Sequence, residues 1–155
     1  MKFESPEEII VFAIEKEKEA ADFYDRVSQQ QQFSGHKQML AEFAAEERKH
    51  QRLLEGLQSG KSGKDIDDYQ FRWIKDIKRS DYVVEMPYRP DMNYHELLML
   101  AMKREEKALA LYNQMLTNAQ EDRAKKIFKI LCQEEAKHKL ALETVYDDYM
   151  AKMGD

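Results

Sequence analysis

Cysteine is nearly missing from this chain of 155 residues; Cys132 is the single copy. That excludes an internal disulfide framework and any four-cysteine metal centre. Glycine and proline are scarce too, at five and three copies. So few turn-forming residues argue against a sheet protein and for long helices. No segment approaches the roughly 18 consecutive apolar residues that mark a membrane span. The N-terminus, "MKFESPEEII", lacks a basic region followed by a long apolar run, so no signal peptide is expected. An excess of positive charge is also absent. The 25 Lys and Arg are outnumbered by 30 Asp and Glu, for a net charge of −5. Neither nucleic acid nor an anionic membrane is therefore expected as a partner. Nor is "GLQSGKS" a phosphate loop, because Gly56 and Gly60 enclose three residues where that loop needs four. The expectation is a single cytoplasmic domain over residues 1–155, large enough to bury a full core.

Charged residues make up 35% of the chain and hydrophobic ones 43%, arranged with helical periodicity. The first helix opens at "SPEE", with Ser5 as N-cap, Pro6 in the first turn and Glu8 at capping-box spacing, and runs to about Gln30. Ser34 is the N-cap candidate of the second, which the glycines of "SGKSGK" end near Ser59. The third opens at "NYHE", where Asn93 and Glu96 repeat the capping-box spacing; the fourth follows Asp122 and runs to about Lys152. Residues 60–92 connect the second helix to the third. They carry a weak helical pattern in Ile66, Tyr69, Trp73 and Ile77, then an extended "MPYRP".

The chain repeats itself. Shifted by 88 residues, Ser5 falls on Asn93 and Ser34 on Asp122. Residues 7–57 and 95–145 share 13 identities in 51 aligned positions, where unrelated sequences would share roughly three. The chain is a duplicated helical hairpin, 5–59 and 93–152, with a crossover at 60–92. This organisation predicts an all-α, antiparallel four-helix bundle whose long crossover runs the bundle's length between helices 2 and 3.

Each core stripe is interrupted at its midpoint. The first helix reads Ile10, Ala13, Glu17, Ala20, Tyr24, Val27, and the third reads Leu98, Ala101, Glu105, Ala108, Tyr112, Met115. The second reads Leu40, Phe43, Glu47, His50, Leu54, Leu57, and the fourth reads Phe128, Leu131, Glu135, His138, Leu142, Val145. Four carboxylates and two imidazoles are thus aimed at a core, where uncompensated charge is costly. Two divalent cations would neutralise four carboxylates. One Glu from each of two helices plus Glu-x-x-His from each of the other two is a recognised ligand set of di-iron bundles. The donors suit two iron ions, and manganese or zinc would also be accepted.

Through Glu17 with Ala20 and Tyr24, "EERKH" with Glu47 and His50, Glu105 with Ala108 and Tyr112, and "EEAKH" with Glu135 and His138, the sequence resembles the ferritin-like superfamily, and within it the rubrerythrin-type di-iron proteins. The resemblance covers nearly the whole chain. It implies a non-haem di-iron carboxylate protein, an oxidoreductase reacting with hydrogen peroxide or dioxygen and served by a separate electron donor protein, with a homodimer among the expected assemblies. It differs from rubrerythrins proper in having no four-cysteine rubredoxin domain. It also has Ala108 where their third helix carries an extra glutamate that lets an iron shift with redox state. Two other functions fit the same residues: an iron-binding or ferroxidase module without organic substrate, and a metal-free or zinc-filled helical interaction protein.

Tyr24 and Tyr112 lie two turns beyond Glu17 and Glu105. Their hydroxyls can assist catalysis by bonding a ligand carboxylate, or the rings can be plain core aromatics. Glu46 and Glu134 read as surface carboxylates in preference to partners of a ligand histidine. His36 and His95 read as surface residues, and Cys132 as a buried small side chain.

Overall fold

A computed structural model describes residues 5–32, 34–60, 64–82 and 85–153. Among them the chain is helical, as the sequence predicts, with no strand. Four long helices, α1 (Pro6–Gln30), α2 (Ser34–Ser59), α4 (Tyr94–Asn118) and α5 (Asp122–Met153), are accompanied by a short α3 (Lys64–Asp67) and a 3-10 turn at Arg79–Tyr82. No described helix is long and apolar enough to cross a membrane. The chain divides into two compact units, Met1–Tyr69 with Ala119–Ile127, and Gln70–Asn118 with Phe128–Asp155.

The first unit is built on the α1–α2 hairpin. The Ser5 side chain accepts the Glu8 backbone N–H at 3.3 Å, satisfying an amide that the first turn leaves without a helical partner. Contacts between the helices run in opposite directions along the chain. Glu17 meets His50, the Tyr24 and Phe43 rings stand edge to face at 5.5 Å, and the Ser28 hydroxyl donates to the Lys37 carbonyl at 2.7 Å. Arg48 bridges Asp22 at 2.5 Å and Asp25 at 3.1 Å on the outside of the same seam. Between the helices Ala13, Ala21, Tyr24, Val27, Leu40, Ala44 and Leu54 are buried. Ser34 is the first residue of α2 and not its cap; the position before it, Phe33, lies outside the described residues. At the other end Gly60 takes a positive φ of 74° and donates its N–H to the Leu57 carbonyl at 3.2 Å, a left-handed termination that favours glycine.

The second unit pairs α4 with most of α5. Here the capping box closes fully: the Glu96 N–H donates to Asn93 Oδ1 at 2.8 Å, and the Asn93 N–H donates to Glu96 Oε1 at 3.2 Å. At the start of α5 the Lys125 N–H bonds the Glu121 carbonyl at 2.9 Å, which puts the cap at Glu121, one residue before the expected Asp122. His95 with Tyr146, Glu105 with His138 and Asn113 with Cys132 make this hairpin antiparallel as well. Leu97, Leu98, Ala101, Met102, Tyr112, Phe128, Ile130, Leu131 and Leu142 fill it. Val145, at the end of the predicted stripe, is 39% exposed, so the buried face of α5 stops about one turn early.

The crossover departs from its predicted helical pattern. Ile66 is buried in α3, but Trp73 is 84% exposed and residues 70–78 take no regular structure. They form a strap held along α5. Gln133 accepts the Arg72 N–H at 2.9 Å and donates to the Gln70 carbonyl at 3.3 Å. Further on, Lys139 reaches Asp76 at 2.7 Å, the Ser80 N–H donates to Glu143 at 2.9 Å, and Arg79 pairs with Asp147 at 2.6 Å. As the strap advances from residue 70 to 80, its partners advance from Gln133 to Asp147, so strap and helix run in the same direction. Glu143 is fully buried and also binds Lys139 at 2.9 Å. Burial alone would lower the Lys139 pKa, but the hydrogen bonds to Asp76 and Glu143 outweigh it and hold the ammonium above its usual range. Glu143→Ala would leave a buried ammonium with one half-exposed partner and an unbonded Ser80 amide. It is expected to lower stability by about 3 kcal/mol, read as a shift in the urea midpoint.

Candidate metal centre

Glu17 comes from α1, one turn after Ala13, and the exposed Glu15 and Glu19 flank it on the outer faces of the helix. Glu47 and His50 come from α2, three residues apart and therefore on one face. All three are at most 3% exposed. The His50 ring Nδ1 stands 3.6 Å from Glu17 Oε2 and 3.6 Å from Glu47 Oε2. One oxygen of each carboxylate and one ring nitrogen lie within 4.8 Å of one another.

The second hairpin repeats the arrangement. Glu105 on α4 and Glu135 on α5 are buried at 3% and 0% exposure. His138 Nδ1 is 3.8 Å from Glu105 Oε2, and its side chain is 16% exposed, making this half slightly more open. The ligand atoms of Glu105, Glu135 and His138 again fall within 4.8 Å of one another. The structure thus brings the six predicted ligands together in two triads, one in each unit.

The donor chemistry of each triad fits a cation. At 4.8 Å two carboxylates repel by about 3 kcal/mol at an effective dielectric near 20, before the cost of removing them from water. Two carboxylates and a neutral imidazole carry a formal charge of −2, which one divalent ion cancels. Oxygen and imidazole donors without thiolate favour iron, manganese or zinc over copper(I). Tyr24 and Tyr112 are each 1% exposed, on the stripes of Glu17 and Glu105.

Several surroundings differ from the sequence reading. Glu46 is half-buried, with an oxygen within 4.8 Å of a His50 nitrogen, and Glu134 is buried and accepts Lys137 at 2.8 Å. Neither is a free surface carboxylate. His36 is half-buried, and burial lowers its pKa. His95 is half-buried and stacks on Tyr146 at 5.2 Å. Cys132 is half-buried beside Asn113 at 3.5 Å; burial, with the Glu135 charge second, pushes its thiol up to about 11, so it is a poor nucleophile at neutral pH. The buried Lys139–Glu143 pair was not read from the sequence. Its signal was a break in the repeat, since Lys139 stands where the first hairpin has Gln51.

Comparison with known proteins agrees with this picture. A family model described as Rubrerythrin matches residues 8–146. No curated protein matches the chain. Among solved structures, a hypothetical protein from Pyrococcus furiosus is similar with 24% identity and a TM-score of 0.63, over 93% of this chain and 89% of that one. A likeness at that identity bears on the fold alone.

The register of α1 singles out one of three neighbouring carboxylates. Glu17→Ala is expected to lower bound metal, measured by elemental analysis after ferrous loading, whereas Glu15→Ala and Glu19→Ala should leave it unchanged. Loss on Glu19→Ala with retention on Glu17→Ala would put the ligand on the wrong face of the helix.

Proposed function

The chain belongs to the rubrerythrin family, and from that premise we propose that its two triads act together as one di-iron centre for the reduction of hydrogen peroxide or dioxygen. The observation that carries the reading is the duplicated, buried Glu, Glu, His triad. Glu17, Glu47 and His50 with Glu105, Glu135 and His138 supply four negative charges, and two ferrous ions balance them. Bound iron supplies the electrons and open coordination positions that such reductions require. The protein's own part is to hold the ligands in place and keep bulk water out. Ala20 and Ala108, one turn beyond Glu17 and Glu105, leave room for a small oxidant. The Tyr24 and Tyr112 phenols serve as hydrogen-bond donors that steady ligand carboxylates. Turnover needs electrons from a separate donor protein, and the cytoplasm is the expected setting. A ferroxidase without organic substrate is the second reading. It is favoured by Ala108, which offers no ligand atom where the related enzymes carry an extra glutamate.

Anaerobic loading with ferrous iron, followed by separate additions of peroxide and dioxygen, tests the proposal. Two irons per chain are expected, with oxidation by at least one oxidant faster than for free ferrous iron in the same buffer. His50→Ala with His138→Ala should abolish the advantage. Binding of no iron, or oxidation at the free-iron rate, would overturn the reading. Peroxide turnover with an added reductant separates it from a ferroxidase.

Metal and fold are coupled in the same proposal. The ligands hold metal in the folded chain better than in the unfolded one, so chelation should lower the melting temperature by about 10 °C where metal is near a thousandfold above its dissociation constant. Protons compete with metal for carboxylate and imidazole, so the drop should be larger at neutral than at mildly acid pH. Equal melting with and without chelator across that range would contradict it.

A further inference from the structure

Where α4 begins and the last turns of α5 pass it, four aromatic rings stand in contact. His95 stacks on Tyr146 at 5.2 Å and on Tyr149 at 6.4 Å, and Tyr94 meets Tyr149 edge to face at 5.2 Å. All four residues are half-buried. Ring packing of this kind is common between helices. What packing does not require is the 3.2 Å approach of His95 Nε2 to the Tyr146 hydroxyl. With the imidazole proton on Nδ1, Nε2 accepts and the phenol donates. The Tyr146 phenol therefore has a base within the reach that proton transfer needs.

A base at that distance sets what a phenol can do. Removing an electron alone leaves a cation radical, and a new charge away from water is costly. Losing the electron and the proton together leaves a neutral phenoxyl radical, with the positive charge on the imidazole. The electron crosses packed protein without contact, whereas the proton moves only along a hydrogen bond. Tyr146 lies eight residues beyond His138 on α5, and His95 ten residues before Glu105 on α4. At 1.5 Å per residue these offsets are about 12 and 15 Å along the helices. Leu98, Ala101, Met102 and Leu142, all buried, occupy positions between the two levels. Burial, with Tyr149 second, holds the Tyr94 phenol above its usual range, so that ring keeps its proton.

The electron count supplies the need. Two ferrous ions give the two electrons that convert hydrogen peroxide to water, but dioxygen takes four. We propose that Tyr146, with His95 as its proton acceptor, is a one-electron donor to the metal centre during dioxygen reduction. The Tyr146 O–H bond breaks, its proton goes to His95 Nε2 and its electron goes to the dioxygen being reduced. A phenoxyl radical on Tyr146 and an imidazolium on His95 remain. The fourth electron comes from the donor protein. One more from the same source, with the proton returned by His95, restores the phenol. This role rests on the di-iron reading above, so one arm of its test needs no iron.

In that arm the full-length chain is loaded with redox-silent zinc and oxidised by flash-generated tris(bipyridine)ruthenium(III), in a Trp73→Phe background that removes the exposed indole. Phenoxyl absorption should rise about tenfold more slowly in Tyr146→Phe and in His95→Phe than in the parent or in Tyr149→Phe, all with equal helix content. In the second arm, iron-loaded protein is frozen within milliseconds of mixing with dioxygen. It should show a tyrosyl EPR signal that ring-deuterated tyrosine narrows and Tyr146→Phe abolishes, with bound iron unchanged. Equal rise rates in all the zinc-loaded proteins would overturn the proposal and leave the contact a structural tie. A radical that survives Tyr146→Phe would also overturn it. So would iron oxidation faster than that of free ferrous iron with no tyrosyl signal, and the di-iron reading would then stand alone. Failure to bind iron would overturn both, whatever the ruthenium arm shows.

Discussion

Like charges held out of water are the constraint on which the rest of this molecule depends. In each hairpin two carboxylates sit within 4.8 Å of each other and of an imidazole nitrogen, at no more than 3% exposure. Such a pair adds repulsion to a desolvation cost of several kcal/mol per ion, against a total stability of about 5–15 kcal/mol for an ordinary domain. A sequence does not place charges there twice by drift in an otherwise apolar stripe. The flanking residues are those of a well-packed helix pair: Ala13, Tyr24, Leu40 and Leu54 around one triad, and Ala101, Tyr112, Leu131 and Leu142 around the other. The apolar rows fix the helices, and the helices fix the donor atoms.

The two halves are not copies in every respect. Glu143 and Glu55 are equivalent in the repeat, yet Glu143 is fully buried while Glu55 is exposed. The difference follows from what lies over each helix. α5 carries the strap, and Lys139, Glu143 and Gln133 supply the hydrogen bonds that an irregular segment cannot make for itself. The two hairpins share their repeat positions, and among the described residues the crossover adds a polar clamp to α5. The same strap turns Trp73 outward, joining a feature that anchors the crossover to one that faces solvent.

Much of this was legible from residue spacing. The helix ends followed from Ser5, Asn93 and Gly60, because capping chemistry is local and each of these residues acts within one turn. The buried Glu, Glu, His clusters followed from the repeat, because two registers that agree at Glu17 and Glu105, and at His50 and His138, constrain each other. The strap was not legible. Ile66, Tyr69, Trp73 and Ile77 have helical spacing, but the backbone around Trp73 is bonded to side chains some sixty residues away, and no local pattern records that. Glu46 and Glu134 are more buried than their spacing suggests for a related reason: a position next to the stripe is exposed on an isolated helix, and spacing does not record what packs beside it. The burial of Glu143 was hidden because its repeat partner gave no sign of it.

The central claim, that six side chains from two duplicated hairpins serve one pair of metal ions, is tested most directly by anomalous scattering at the iron edge from crystals of the iron-loaded protein. The account predicts two peaks about 4 Å apart, one ligated by His50 and the other by His138, with Glu17, Glu47, Glu105 and Glu135 completing the coordination. A single peak, peaks on the protein surface, or two sites too far apart to share this ligand set would contradict it.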